Sequence, residues 1–192
     1  YSDLKHENLI ELIEAKEIGA GFAMVFKWAD SDCMGRMYPA AHRRFMQLPI
    51  NDRLAVFSDI LSFLECVASR KYVAIDFYDG SIMYDFANGK TTICDIDLFH
   101  KQPCVNDMGR MWGSSRFQSP EEYQLGADID EITNVYTLGA TAFALFGEYN
   151  RTREKWQLSD KLFEIATRAV SDDRTKRQQS IRQFTAEWEA AQ

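Results

Sequence analysis

A run of polar side chains interrupts a hydrophobic stretch at residues 74–81, which reads AIDFYDGS. Asp76 and Ser81 are separated by four residues, and Asp79 stands between them. A short polar run of this kind is either a solvated turn or a loop that carries out chemistry, since a buried strand has little use for unpaired carboxylates. Asp79 on its own is interpreted as a solvated turn residue.

A second stretch, ICDIDLF at residues 93–99, places Asp95 and Asp97 at the end of an apolar run. Phosphoryl transfer needs Mg²⁺ held by carboxylate or amide oxygens, and a carboxylate that orients the attacking hydroxyl group. Asp76 and Asp95 are the carboxylates of the two stretches that could take part in such chemistry. Asp97 is either a local turn residue or a further metal ligand.

The composition limits the class of protein. A chain of 192 residues with 46% hydrophobic and 27% charged residues is long enough for one domain or one large lobe. A formal net charge of −7 argues against general nucleic-acid binding, which requires a basic face. No apolar run is long enough to cross a membrane, and the four cysteines form no C-x-x-C pair. We therefore expect a cytoplasmic protein with reduced thiols.

Hydrophobic patterning predicts the order of the elements. Residues 9–29 suggest a strand hairpin, and residues 52–70 have the apolar spacing of a helix, with Asn51 as its cap. Residues 72–99 read as short strands joined by turns, and residues 100–130 as a long loop. Three helices are predicted after that, in the stretches ITNVYTLGATAFALF, WQLSDKLFEIATRAV and SIRQFTAEWEAA. This order predicts an α+β fold that is mainly helical.

The two aspartate stretches resemble motifs of the protein-kinase superfamily. In the catalytic-loop pattern H-R-D-L-x-x-x-N, Asp76 takes the position of the Asp and Ser81 that of the Asn, while DID at 95–97 stands where D-F-G would follow. Further stretches resemble that family in the same order along the chain. They are LKHENLIEL (4–12), FAMVFKWADSDCM (22–34), GSSRFQSPEE (113–122), NVYTLGATAFALFGE (134–148) and SDDRTKRQQSIRQF (171–184).

The resemblance implies a division of the chain. Residues 1–29 would be a remnant of the kinase N-lobe, ending in the hinge, and residues 30–192 would be the C-lobe. Within the C-lobe, residues 74–81 would be the catalytic loop and residues 95–121 the activation segment. The family's Gly-rich loop, β3 lysine and αC glutamate would all precede residue 1, so the chain as given is expected to be a truncated fragment without activity of its own.

The resemblance also implies a role for individual residues. Asp76 would accept the proton of the substrate hydroxyl, Asp95 would bind Mg²⁺, and Ser81 would replace the asparagine that binds a second Mg²⁺. Glu121 would pair with Arg177 and tie the activation segment to the helices. The adenine of ATP would lie against the gatekeeper and hinge, which are Phe26, Lys27, Trp28 and Ala29.

Several positions depart from the family pattern. Ala74 and Ile75 replace the His and Arg of the catalytic loop, which puts switching by phosphorylation in doubt. Ser81 is a weaker ligand than Asn, Asp97 replaces a glycine, and Asn134 replaces an Asp whose charge usually organises the catalytic-loop backbone.

The function implied is that of a Ser/Thr protein kinase that transfers the γ-phosphate of ATP to a protein hydroxyl with Mg²⁺. Ser114 stands where the family's Thr falls in the segment 113–122, which favours the Ser/Thr class. One alternative is a pseudokinase that binds a regulatory protein partner. A second is a small-molecule phosphotransferase of the aminoglycoside or choline kinase type, which lacks a P-E segment paired with a late arginine.

Overall fold

The computed structural model describes all 192 residues and shows an α+β protein. This confirms the predicted fold class, with more residues in helices than in strands. No helix combines the length and apolar character that a membrane crossing requires. The α-helices are α1 (Pro39–Met46), α2 (Ile50–Ser69), α3 (Glu131–Phe146), α4 (Asp160–Ala169) and α5 (Ile181–Glu189).

The chain begins with the predicted hairpin. Strands β1 (Leu12–Ile18) and β2 (Gly21–Phe26) are antiparallel, with Ile18 opposite Gly21. Gly19, in the two-residue turn, has a φ of +60°, a left-handed conformation that glycine adopts without a steric penalty.

Two strands that follow α2 in the chain form a three-stranded antiparallel sheet with one strand that precedes α2. Its order is β3 (Asp32–Cys33), β5 (Ile82–Asp85), β6 (Lys90–Ile93). The register of β5 and β6 places Ile82 opposite Ile93. The predicted turn ANGK joins these two strands.

The rest of the strand structure consists of two-residue pairs. Strand β4 (Tyr72–Val73) pairs with β7 (His100–Lys101), and β8 (Cys104–Val105) pairs with β9 (Asp128–Ile129). Between β8 and β9 the chain has no regular element except a 3₁₀ turn at Pro120–Tyr123. The predicted long loop is therefore present, but it is closed at its base by the β8–β9 pair.

The core lies between α2, α3 and α5. Fourteen of the sixteen residues of α3 are buried, as its uniformly apolar sequence predicts. The rings of Phe57 on α2 and Trp188 on α5 lie 4.7 Å apart between centroids. The helix α2 begins after Pro49, so the predicted cap Asn51 instead lies within its first turn. Proline is well suited to this position because the first helical N–H groups have no intrahelical partner.

Helices α3 and α4 approach closely at Gly139. A Cβ atom at this position would lie 2.6 Å from the Cβ of Ala169 and 3.1 Å from the carbonyl oxygen of Ala166. The glycine thus allows a contact that any larger side chain would force apart.

Replacing Gly139 with alanine is expected to destabilise the protein by about 1–3 kcal/mol, because overpacking outweighs the gain in helix propensity. Urea unfolding of the variant measures this change. The double variant Gly139→Ala/Ala169→Gly removes the blocking methyl group and should recover part of the loss. A Gly139→Ala variant more stable than the parent would contradict this packing.

Candidate functional site

The β5–β6 hairpin brings the two predicted aspartates to one end of the sheet. The Cys94 N–H donates to the carbonyl oxygen of Ser81 at 2.9 Å, one step beyond the last strand pair. Residues that precede β5 and residues that follow β6 therefore meet at the same end. Asp76 lies five residues before Ser81 and Asp95 directly follows Cys94, so their carboxylates lie close together although the chain separates them.

Both aspartates have a left-handed backbone. The φ angle is +61° for Asp76 and +57° for Asp95, and they are two of only five residues other than glycine with positive φ. Such conformations are uncommon in residues with a side chain and cluster at functional sites. The surrounding structure must therefore impose these conformations on both loops.

Asp76 and Asp95 both have a raised pKa, and in each case a neighbouring carboxylate contributes. Burial raises the pKa of Asp76, the charge of Asp95 raises it further, and a hydrogen bond from the Ser114 N–H opposes both. Partial desolvation by neighbouring protein atoms also raises the pKa of Asp95, although this residue keeps an exposed surface, and the charge of Asp97 adds to the effect. A carboxylate with a raised pKa is a stronger base than an ordinary one, as a group that accepts a hydroxyl proton must be.

Two of the three predicted metal ligands are exposed, and the third is buried. The side chains of Asp95 and Asp97 are exposed and repel each other, so a hard cation would relieve their repulsion. Ser81 differs, since it is completely buried and its hydroxyl oxygen accepts from the Tyr78 N–H at 3.5 Å. No group of three or more His, Cys, Asp or Glu side chains is placed to hold a metal ion. Asp95 and Asp97 are exposed, so they could contact a Mg²⁺ ion only if phosphate or water oxygens completed its coordination.

The N-terminal segment supports the loop that carries Asp95. The Ile93 N–H donates to the Asn8 carbonyl at 2.6 Å, and the Ile10 N–H donates to the Ile93 carbonyl at 2.8 Å. The Tyr1 hydroxyl accepts from the Ile96 N–H at 3.2 Å. The Tyr1 ring packs on Phe26, the predicted gatekeeper, with 4.8 Å between ring centroids. Phe26 is thereby linked through one side chain to the residue after Asp95.

The other predicted nucleotide-binding residues directly follow β2. The Lys27 N–H is occupied, because it donates to the Glu11 carbonyl at 2.9 Å. The backbone N–H groups of Trp28 and Ala29 have no backbone partner, and the Trp28 side chain is 84% exposed. Lys27, Trp28 and Ala29 border a groove of about 850 Å³ that they share with ten of the first twelve residues. Neither Asp76 nor Asp95 lines this groove.

Asn134 on α3 fixes the backbone of the loop before Asp76. Its Oδ1 accepts from the Ala74 N–H at 2.7 Å, and its Nδ2 donates to the Tyr72 carbonyl at 3.0 Å. The side chain is completely buried. In the family pattern this position carries an Asp whose charge organises the catalytic-loop backbone, and Asn134 lacks that charge. The structure shows that a neutral amide organises the loop by serving one donor and one acceptor together.

The apolar residue before Asp76 has a packing role. Ile75 lies in a small buried cluster with Val73, Met111 and Ile129. The loop is therefore held to the 104–130 segment by apolar contact at the position where the family pattern has an arginine.

Asp79 is not a solvated turn residue, and this prediction is wrong. It is only 4% exposed and accepts three hydrogen bonds. The donors are the Tyr149 hydroxyl at 2.6 Å, the Arg116 Nη2 at 3.1 Å and the Arg36 N–H at 3.2 Å. A buried carboxylate needs such partners because the charge has lost its water. Asp79 thus joins three segments that are distant in the chain.

One of these partners, Arg116, connects Asp79 to the surroundings of Asp76. The Arg116 Nε donates to the Ser114 hydroxyl at 3.3 Å, and the Ser114 N–H donates to the Asp76 carboxylate. Asp79 therefore holds Arg116, and Arg116 contacts the residue whose amide binds Asp76. Burial strongly raises the pKa of the Tyr149 phenol, and its bond to Asp79 adds to the effect, so this hydroxyl remains a donor.

The structure places Glu121 and Arg177 together in a buried ion pair. The Arg177 Nη1 and Nη2 atoms donate to the two Glu121 carboxylate oxygens at 2.7 and 2.9 Å. Arg174 Nη1 adds a third contact at 2.9 Å, and the Thr133 hydroxyl a fourth at 3.0 Å. Burial alone would raise the pKa of Glu121, but the bonds from Arg177 and Arg174 hold it below its ordinary value. The end of the 113–122 segment is thus anchored to the helices.

The neighbouring Glu122 has no cationic partner. Its Oε2 accepts from the Ser119 N–H at 2.6 Å and from the Ser119 hydroxyl at 2.9 Å. Burial raises the pKa of Glu122 to about 7, more than these two bonds can offset. Its ionisation therefore costs folding free energy near neutral pH.

Sequence reasoning missed several residues that hold the site in place. Arg116 and Tyr149 have no motif, and their roles depend on the unexpected burial of Asp79. Arg174 offered one signal, since it lies three residues before Arg177 in the same loop. Glu122 offered another, because S-P-E-E places a glutamate three residues after a serine, the spacing of a capping box.

Replacing Glu121 with glutamine is expected to lower the free energy of unfolding by about 3–5 kcal/mol, because Arg177 keeps its charge in a buried position without a carboxylate. Chemical denaturation measures the change, and Glu164→Gln on the exposed face of α4 is the matched control. If both variants lost the same small amount, the ion pair would not be the anchor of this segment.

Glu122→Gln is expected to change the pH dependence of stability. A pKa raised to about 7 means that the folded state binds the proton more tightly than the unfolded state. The resulting stabilisation is present below about pH 4.5, the ordinary glutamate value, and is lost as the pH rises through the folded pKa. The parent protein should therefore lose more stability than Glu122→Gln between pH 5 and pH 8 in urea titrations. Equal losses would show that Glu122 does not titrate in this range.

Comparison with known proteins does not assign this chain to a family. No protein-family model matches the chain, and no curated protein sequence matches it. The residues described above are therefore the basis for a function.

Proposed function

We propose that this chain carries the chemical centre of a protein-kinase-like phosphotransferase, which transfers the γ-phosphoryl group of ATP to a serine or threonine hydroxyl of a protein. The observation that carries the proposal is the meeting of Asp76 and Asp95 at one end of the β5–β6 hairpin, both in left-handed backbone conformations. Strained backbone and raised carboxylate pKa values are found together more often at functional sites than in structural loops.

In the proposed reaction, the Asp76 carboxylate accepts the proton of the substrate hydroxyl. A bond forms between the hydroxyl oxygen and the γ-phosphorus, the bond from that phosphorus to the bridging oxygen breaks, and ADP leaves with the bridging oxygen. Asp95 and Asp97 would hold Mg²⁺, and the ion would supply neutralisation of the charge on the phosphate oxygens. The Ser114 N–H orients Asp76 by its hydrogen bond to the carboxylate.

The buried pair of Glu121 and Arg177 supports the protein-kinase-like assignment over a small-molecule phosphotransferase. The latter class is expected to lack this pairing, whereas the structure joins the two side chains by two short hydrogen bonds. We extend the proposal to the fold, with residues 30–192 as a kinase-like C-lobe and the β1–β2 hairpin as part of an N-lobe. Adenine would then lie beside the free backbone N–H groups of Trp28 and Ala29.

A second candidate function is the binding of a partner by a protein that has this fold but does not catalyse phosphate transfer. The state of Ser81 favours it, because a completely buried hydroxyl that already accepts a backbone hydrogen bond is poorly placed to hold a second metal ion. In that case the same surface would bind a regulatory protein partner.

The direct test is transfer of phosphate from γ-labelled ATP to a Ser/Thr peptide library by the full-length gene product. Asp76→Asn should lower the rate by about 100-fold or more, because it removes the proton acceptor while asparagine tolerates the left-handed backbone. Asp172→Asn, in the exposed loop after α4, is the matched control and should keep the parent rate.

Two results would contradict the proposal. Transfer that survives in Asp76→Asn would show that Asp76 is not the base. Absence of both transfer and nucleotide binding in the parent protein would leave the binding module as the function of this fold.

A further inference from the structure

Three arginines surround Tyr149 and the segment after Ser114. The guanidinium carbons of Arg36 and Arg116 lie 5.1 and 4.8 Å from the centroid of the Tyr149 ring. Arg151 joins them, since its Nη2 donates to the carbonyl oxygen of Arg116 at 3.2 Å. We refer to Arg36, Arg116 and Arg151 as the arginine patch.

The arginine patch has more positive charge than its neighbours neutralise. Asp79 forms an ion pair with Arg116 at 3.1 Å, and neither Arg36 nor Arg151 has a carboxylate within ion-pair distance. Only one of the three guanidinium groups is therefore paired with a carboxylate, in a chain whose formal net charge is −7. A local positive excess against an acidic background marks a surface suited to an anionic partner.

The patch lies beside the candidate base. The Arg116 Nη2 binds Asp79, three residues after Asp76, at 3.1 Å, and its Nε contacts the Ser114 hydroxyl at 3.3 Å. The side chain of Arg116 is 32% exposed, while Arg36 and Arg151 are exposed residues. A ligand bound to these guanidinium groups would therefore be a few residues away, along a substrate segment, from the hydroxyl group that lies at Asp76.

The guanidinium groups are held in place before any ligand binds. Asp79 fixes Arg116, and the Tyr136 hydroxyl accepts from the Arg151 Nη1 at 2.8 Å. The Tyr149 ring lies under both Arg36 and Arg116 and is itself fixed by its 2.6 Å bond to Asp79. Binding to preorganised side chains costs less conformational entropy than binding to free ones.

We propose that the arginine patch binds an acidic side chain of the protein segment that carries the acceptor hydroxyl, so that the substrates of this site are acidic segments of proteins. The inference rests on the proposed function and specifies its substrate class. Arginine suits this role because its planar guanidinium group matches a carboxylate with two parallel hydrogen bonds. A phosphate group offers the same acceptor geometry, and a separate peptide tests it.

The test uses peptides of one sequence around a serine, in three forms. The flanking residues are Asp and Glu in the first, Asn and Gln in the second, and phosphoserine in the third. Binding to the full-length gene product is measured by fluorescence anisotropy over a range of salt concentrations. The parent protein should bind the acidic peptide about tenfold more tightly than the neutral one, with a preference that weakens as salt is added.

The informative variant is Arg36→Gln/Arg151→Gln, which leaves the Arg116–Asp79 pair intact. It should reduce the preference for the acidic peptide to about threefold or less, since two of three guanidinium groups are gone. Lys161→Gln/Arg182→Gln removes two exposed positive charges from α4 and α5 and should leave the preference unchanged. A preference that survives in the patch variant, or falls equally in the control, would overturn the inference.

The remaining outcomes separate this inference from the proposed function. Selective binding of the acidic peptide without phosphate transfer would support the patch and count against the kinase chemistry. Transfer to acidic and neutral peptides with equal efficiency would support the chemistry and overturn the patch. Selective binding of the phosphoserine peptide alone would also overturn it, because a carboxylate would then not suffice.

Discussion

Two like charges held close together are the feature on which the rest of this structure depends. Asp76 and Asp95 repel each other, and each has a backbone conformation that residues with side chains rarely adopt. The register of the β5–β6 hairpin brings them to one end of the sheet. Asn134 then fixes the backbone before Asp76, and the segment around Asn8 and Ile10 fixes the strand before Asp95. These hydrogen bonds stabilise the two loops against the charge repulsion and the backbone strain.

Buried carboxylates hold the irregular part of the chain. The segment between β8 and β9 has almost no regular structure, so it has few backbone hydrogen bonds of its own to define its course. Asp79 and Glu121 replace them. Each carboxylate binds an arginine and at least one further donor from a segment distant in sequence. This mode of anchoring gives the loop a fixed position next to Asp76 while its outer surface, including Trp112, stays exposed.

The parts of the fold that the sequence predicts are those set by local patterns. The uniformly apolar α3, the β1–β2 hairpin and the short strands before Asp95 all follow from periodicity and turn residues. Motif order also named Glu121 and Arg177, which are 56 residues apart and meet in the structure. Asp79 could not be predicted in this way. Its burial depends on Arg116 and Tyr149, which lie 37 and 70 residues further along the chain and carry no local signal.

The same limit explains the smaller differences. Asn51 is a good cap by residue type, but Pro49 is the cap of α2, where the lack of an N–H group costs no intrahelical hydrogen bond. Asn134 stands where the family pattern has a charged Asp, yet its amide oxygen accepts a hydrogen bond from the loop and its amide nitrogen donates one to it. In each case residue type alone is ambiguous, and the partner provided by the fold decides the role.

The most direct test of this account is a carboxyl ¹³C NMR titration of Asp76 in the parent protein and in Asp95→Asn. Since the charge of Asp95 contributes to the raised pKa of Asp76, that pKa should fall in the variant. It should stay above the ordinary aspartate value, because the burial of Asp76 remains. An Asp76 pKa that does not change in Asp95→Asn would mean that the two carboxylates do not interact, and the candidate site would lose its central feature.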